Sequence, residues 1–249
     1  MQRSISIFIY MDYMKKTQYF LLFFIFNFIF IKSCHFILIS APGSGKGTFS
    51  QYMTEKYGYL QICPGDIFRK EILLQTELGK AIQPIVEAGD YVDEKIVCSL
   101  ILNYIQKALD QNKLFILDGF PRSENSLNFL LNFLTEKNLL SNVCFLQFNL
   151  PDELCKQRVL TRFVCNDCGK VDNATMIDSL EVPKCKRCHN LLNKRPGDTE
   201  QVISKRLLYF HEIIEPLFNE IAHSGHTTKI INTNQNICDL EKIYENLFF

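Results

Sequence analysis

Two sets of residues in this chain have the types and spacing to do chemistry. The first is Ser40-Ala41-Pro42-Gly43-Ser44-Gly45-Lys46-Gly47-Thr48. Gly43 and Gly45 permit a tight turn in which successive backbone N–H groups converge on an anion. Lys46 adds a mobile cation for phosphate oxygens, and Thr48 supplies a hydroxyl at the start of whatever helix follows. The second set is Cys165-x-x-Cys168 and Cys185-x-x-Cys188, with sixteen residues between the pairs. Four thiolates at this spacing make a tetrahedral zinc site of the ribbon kind, and two disulfides or free thiols are the alternative. Gly169 suits a knuckle turn, and His189 is not needed as a ligand. Four protein ligands leave no open position, so such a zinc would be structural.

A phosphate loop works only between a strand and a helix, where the positive end of the helix dipole faces the anion. The apolar run 34–40 predicts the strand, and a helix is expected from about 45 to 57. The general pattern G-x-x-x-x-G-K-[ST] asks for Gly at 40 and Ser or Thr at 47, and this chain has Ser40 and Gly47. Further strands are expected at 60–63, 114–117, 143–149 and 229–232. Helices are expected at 65–78, 80–88, 93–110 with Asp93 as N-cap, 123–137, 152–162, 198–221 with Pro216 near its end, and 237–247. Asp198 is a candidate cap for the helix after it. Alternating short strands and helices predict an α/β fold, a parallel sheet of five strands with helices on both faces. Residues 163–196 lose that rhythm and read as an inserted subdomain.

The Pro-Gly-Ser-Gly-Lys-Gly-Thr variant, with Gly after Lys, resembles the adenylate kinase family of nucleoside monophosphate kinases. Gly65-Asp66-Ile67-Phe68-Arg69 is similar to its acceptor segment, Asp118-Gly119-Phe120-Pro121-Arg122 to its DGFPR signature, and Arg206-Leu207 with Tyr209 and His211 to its late helix. The matches fall in family order over roughly 34–249, leaving 1–33 as an extension outside them. The resemblance implies reversible phosphoryl transfer from Mg-ATP to AMP, with Mg²⁺ arriving with ATP and zinc stapling a lid near 161–198. It implies that Gly43, Ser44, Gly45, Lys46, Gly47, Thr48, Arg162, Val171 and Asp172 hold the donor. Pro64, Arg69, Asp90, Tyr91, Val92, Gly119, Arg122, Ser126, Arg195 and Arg206, with a segment near 63–92, would hold the acceptor. Lys46, Asp118, Arg122, Arg158, Arg162, Arg195 and Arg206 would carry the transfer, Asp118 toward Mg²⁺ or its waters. Arginine forks suit this role because they bind phosphate oxygens bidentately.

The sequence departs from the family pattern at the acceptor base. Pro64 stands where the family usually has Thr, and Ser126 where a Gln usually reads the adenine edge, with Asn125 or Asn128 as substitutes. Gly197 replaces one of two acids. The acceptor is AMP or another monophosphate, and a degenerate nucleotide-binding regulatory module is the rival reading.

Composition narrows the partners. Lys plus Arg number 27 and so do Asp plus Glu, so the basic excess of a general nucleic-acid binder is absent. A mildly basic stretch at Lys184, Lys186, Arg187, Lys194 and Arg195 keeps nucleic-acid binding by the zinc ribbon open, but the resemblance implies a lid at the position of the insert. Paired cysteines read as metal ligands point to a reducing compartment, so a cytoplasmic monomer is expected, without nucleic acid or membrane partner. Residues 19–31 are apolar except Asn27. They fall short of the roughly 20 residues of a membrane span and fit a signal-peptide core better. Otherwise they reflect an over-extended start, with Met11 or Met14 as alternatives.

Overall fold

The computed structural model describes residues 34–173, 183–195, 197–235 and 237–246, so the apolar run 19–31 lies outside the described residues. Five short runs rich in β-branched and aromatic residues form one parallel sheet. They are β1 (His35–Leu38), β2 (Leu60–Ile62), β3 (Phe115–Asp118), β4 (Val143–Asn149) and β8 (Thr228–Asn232), in the order β2-β3-β1-β4-β8. Side chains alternate across the sheet, so β1 feeds two cores. Phe36 and Leu38 join Phe49, Met53 and Tyr244 on one face. Ile37 and Ile39 join Ile101, Leu130 and Phe218 on the other. His35 is buried against Phe115, whose N–H donates to its Nδ1 at 3.2 Å, and burial holds the imidazole down at about 4. Nδ1 is therefore an acceptor at neutral pH.

The sheet register decides where the chemistry sits. Leu38, the last residue of β1, pairs with Asp118, the last of β3. The loop leaving β1 and the carboxylate ending β3 therefore emerge at the same carboxyl edge, where open α/β sheets gather ligands.

The flanking helices follow the expected order. They are α1 (Lys46–Tyr57), α2 (Pro64–Leu73), α3 (Glu77–Glu87), α4 (Glu94–Asp110), α5 (Glu124–Glu136) and α6 (Asp152–Leu160). Asp93 caps α4 as expected, its carboxylate accepting from Lys95 and Ile96 N–H. The acceptor-segment helices differ from the expected 65–78 and 80–88. α2 ends early because Gln75 turns left-handed and Thr76 caps α3, its hydroxyl accepting from Gly79 N–H at 3.0 Å. The helices must cross closely here, since a Cβ at Gly79 would lie 2.1 Å from the Glu71 carbonyl oxygen.

The single helix expected over 198–221 is instead α7 (Glu200–Tyr209), a π-helical turn at Phe210–Ile214, and α8 (Glu215–His223). Pro216 has no N–H to return to the residue four before it, and the wider π turn takes up the mismatch, with Glu215 N–H reaching the Phe210 carbonyl. Nor is Asp198 the cap: Thr199 is, accepting from Val202 N–H at 3.3 Å, while the Asp198 carboxylate is committed to Arg162. A last helix, α9 (Ile237–Asn246), covers the face under α1.

Within the insert, the segment without periodicity carries a small antiparallel sheet. Its strands are β5 (Arg162–Cys165), β6 (Val171–Asn173) and β7 (Leu192–Asn193), in the order β6-β5-β7. These strands are too short to leave a periodic signature. Among the described residues no helix is long and apolar enough to cross a membrane.

The α2–α3 crossing gives a test. Gly79→Ala forces backbone apart and is expected to cost about 1–3 kcal/mol, read as a lower urea midpoint. An unchanged midpoint would show that the crossing tolerates a methyl group.

Candidate active site

The loop between β1 and α1 is held from both sides. Gly43 and Gly45 have φ of 82° and 108°, left-handed values that glycine adopts without strain. Gly43 has a second constraint, because a Cβ there would sit 2.5 Å from the Cys155 carbonyl oxygen of α6. Ser40, where the general pattern has Gly, is buried, and its hydroxyl accepts the Phe148 N–H of β4 at 2.7 Å. The departure at 40 therefore ties the loop to the sheet. Lys46 turns back over the loop and donates to the carbonyls of Ser40 at 2.9 Å and Ala41 at 2.7 Å. Burial lowers its pKa, opposed by Asp118 and assisted by Arg122. Gly47 and Thr48 are exposed in the first turn of α1.

Asp118 is 6% exposed and accepts from Gln61 Nε2 at 3.3 Å. Burial raises its pKa and Lys46 pulls it back down. Gly119 follows at φ 77°, and its carbonyl accepts from Arg122 Nε at 2.7 Å, turning that guanidinium back toward the strand end. Arg206, on α7, lies near enough for Arg122 to lower its pKa, although burial is the larger cause.

A second group of charges flanks the first. Arg195 is pushed down to about 10, by burial first and then by Arg69 and Arg162. Asp66 bonds Arg69 directly and approaches Arg195 at 3.8 Å. Burial works to raise the Asp66 carboxyl, and the two arginines outweigh it. Arg162 and Asp198 form a two-pronged pair at 2.7 and 2.5 Å. The Nε atoms of Arg195 and Arg206 are buried without a hydrogen-bond partner among the described residues. Arg158, on α6, donates through Nη2 to the Thr233 carbonyl at 2.9 Å, beside Gly45. Charge interactions thus link Lys46 to Asp118 and Arg122, Arg122 to Arg206, and Arg206 and Arg195 to Arg162, with Arg158 beside the loop. Such a set of cations can hold polyphosphate and stabilise the charge that develops as a phosphoryl group moves.

The remaining expected residues divide. Pro64 begins α2, and Asp90, Tyr91 and Val92 lie in the turn before α4, with Asp90 paired to Lys205 of α7. Val171 and Asp172 lie on β6, Asp172 paired in register with Phe163. Ser126 is already committed within the protein. It is 2% exposed, and its hydroxyl accepts from Arg122 and Ser123 N–H and reaches the Ser123 carbonyl, all at 3.0 Å, in the capping box of α5. Asn125 and Asn128 are exposed on the same helix.

The four cysteines converge, as their spacing predicts. Cys165 and Cys188 sulfurs lie 3.4 Å apart, Cys168 and Cys185 3.5 Å, and all four sulfurs lie within 4.8 Å of one another. A tetrahedron with metal–sulfur bonds of about 2.3 Å has edges near 3.8 Å, so the cluster fits zinc. The two knuckles repeat one geometry. Gly169 N–H bonds the Cys165 carbonyl and His189 N–H the Cys185 carbonyl, both at 2.9 Å, with φ of 72° and 61°. His189 thus occupies the turn position that Gly169 fills in the other knuckle, and it is no part of the sulfur cluster. Arg187, at the tip of the second knuckle, pairs with Glu55 of α1.

Thr233 is a site residue that the sequence does not announce. It follows β8, is fully buried, and its hydroxyl donates to the Ser44 carbonyl at 2.7 Å while its own carbonyl takes Arg158. One residue thus fixes both the phosphate loop and an arginine. No motif marks it, because the contact spans 189 positions. Thr233→Val removes the hydroxyl from a buried carbonyl and is expected to cost about 1–3 kcal/mol, with Thr233→Ser retaining most of it. Urea unfolding of both variants checks this, and equal losses would refute the role of the hydroxyl.

Comparison with known proteins agrees with this geometry. A family model described as Adenylate kinase matches residues 38–225. A protein of Borrelia duttonii named Adenylate kinase is 32% identical over 206 residues, 83% of this chain and 93% of its own length. One of Mycoplasma pneumoniae with the same name is 34% identical, covering 78% and 89% of the two chains. One of Fervidobacterium nodosum, also so named, is 35% identical, covering 73% and 82%.

Proposed function

This chain belongs to the adenylate kinase family and carries out adenylate kinase-like phosphoryl transfer; we propose that the donor is Mg-ATP, the acceptor AMP, and the products two ADP. One observation carries the reading: the loop bearing Lys46 and the Asp118 carboxylate leave the sheet at one edge, with Arg122 coupled to Lys46 and Arg206 and with Arg158 beside Gly45. The loop from Gly43 to Thr48 cradles the donor phosphates with backbone N–H groups, and Lys46 exchanges its loop carbonyls for phosphate oxygens. Arg69 and Arg122 hold the acceptor phosphate, Arg158 and Arg162 reach the donor, and Arg195 and Arg206 span the transferred group. Mg²⁺ enters with ATP and offsets phosphate charge, and Asp118 is the carboxylate that would face it or its waters. No side chain acts as a strong base, because the acceptor phosphate is already an anionic nucleophile.

Residues 161–198 act as a lid stapled by zinc on Cys165, Cys168, Cys185 and Cys188, and closing it excludes water from the transfer. With the Ser126 hydroxyl committed to its helix cap, the acceptor base is read by the backbone at Asp90, Tyr91 and Val92, and segment 63–92 is the acceptor-binding part. The protein works in the cytoplasm as a monomer; thiolate metal ligands support the compartment, since they need a reducing one.

A coupled assay with ATP and each of AMP, GMP, CMP and UMP tests the reaction. AMP is expected to turn over fastest, and confirmed ATP binding with no turnover on any acceptor would end this reading. Metal analysis of reduced protein is expected to find about one zinc per chain from the one four-thiolate site. Cys165→Ala is expected to lose that zinc and to melt at lower temperature, because structural metal is folding energy. Metal-free wild type, or an unchanged melting temperature, would count against the site.

A further inference from the structure

Tyr91 has an arrangement that core packing does not account for. The residue is 37% exposed, yet its ring meets two groups that belong to other elements. The Arg122 guanidinium carbon lies over the ring, 4.8 Å from its centroid. The Tyr209 ring of α7 lies 4.6 Å away at an angle of 45°. Tyr209 also reaches past it, its hydroxyl donating to the Arg122 backbone carbonyl at 2.9 Å. The same turn is pinned to α7 twice more, by the Asp90–Lys205 ion pair and by Gly89, where a Cβ would meet Val202 Cγ1 at 2.7 Å.

We propose that Tyr91 is a positioning residue for the acceptor phosphate, its ring face holding the Arg122 guanidinium in the receiving orientation while Tyr209 fixes the backbone that carries it. The inference rests on the reading of Arg122 as an acceptor arginine. Its physical basis is charge. Arg122 and Arg206 repel each other, and among the described residues the Arg122 guanidinium has one hydrogen bond, to the Gly119 carbonyl. A ring face carries negative quadrupole charge, so it attracts the guanidinium from above and leaves its in-plane N–H groups free for a phosphate. Tyr91 lies in the acceptor segment and Arg122 beyond β3. The stack therefore links the docking of that segment on α7 to the aim of the arginine.

The test is calorimetric titration of AMP, and separately of ATP, into the whole protein and into Tyr91→Phe, Tyr91→Leu and Tyr209→Phe. Removing the ring in Tyr91→Leu is expected to weaken AMP about threefold to tenfold, while Tyr91→Phe stays within about twofold of wild type. Tyr209→Phe, losing one hydrogen bond, is expected to weaken AMP about threefold. ATP affinity is expected to hold in all three. In turnover, Tyr91→Leu raises KM for AMP with kcat retained. Equal AMP affinity for the Phe and Leu variants, or a parallel loss of ATP affinity, overturns the proposal. Wild type that binds AMP without turnover ends the kinase reading and leaves this inference to the Phe–Leu contrast. Wild type that binds no AMP ends both.

Discussion

Lys46 and Arg122 repel each other, as do Arg122 and Arg206, and Arg195 with Arg69 and Arg162. Cations gathered in a part-buried cleft lose solvation and oppose one another, so they stay together only if other groups hold them. All but Arg206 have such a group among the described residues. Loop carbonyls take Lys46, the Gly119 carbonyl and the Tyr91 ring take Arg122, and the Thr233 carbonyl takes Arg158. Asp66 serves Arg69 and Arg195, and Asp198 serves Arg162. These contacts keep the side chains together while leaving N–H groups to exchange for phosphate. That preorganisation is what a protein contributes to phosphoryl transfer, where there is little covalent work for it to do.

Holding charges this way demands a backbone that does not yield. The phosphate loop is clamped by α6 against Gly43, by β4 through the Ser40 hydroxyl and by Thr233 through the Ser44 carbonyl. Each clamp comes from a different element, and the two hydrogen bonds are buried, where losing one costs most. The same economy explains Ser126. A hydroxyl that receives both Ser123 N–H, closing the capping box of α5, and Arg122 N–H stabilises the arginine loop, at the expense of any contact with a base.

The insert is attached with unequal strength. At its base the Arg162–Asp198 pair is bidentate, with side chains 17% and 3% exposed. At its tip Arg187 meets Glu55 in the open, 39% and 52% exposed, where an ion pair contributes about 0–1 kcal/mol. A firm root and a lightly held tip accord with the lid proposed for this insert.

Much of this was legible in the sequence. Apolar runs and glycines gave the five strands and their helices nearly in place, because periodicity and turn chemistry are local. The loop at 43–48 and the paired cysteines were legible for the same reason, their ligating atoms being supplied at short spacing. Long-range choices were not. Thr199 rather than Asp198 caps α7 because Arg162, 36 positions earlier, claims the carboxylate. The π turn at 210–214 reflects Pro216 acting on a register that spacing alone cannot show. The phosphate loop itself was determined by the sequence as a cradle for anions. Only the tertiary structure decided that Ser40, Thr233 and the back of α6 hold that cradle rigid, because those contacts depend on which strand ends the sheet register brings side by side.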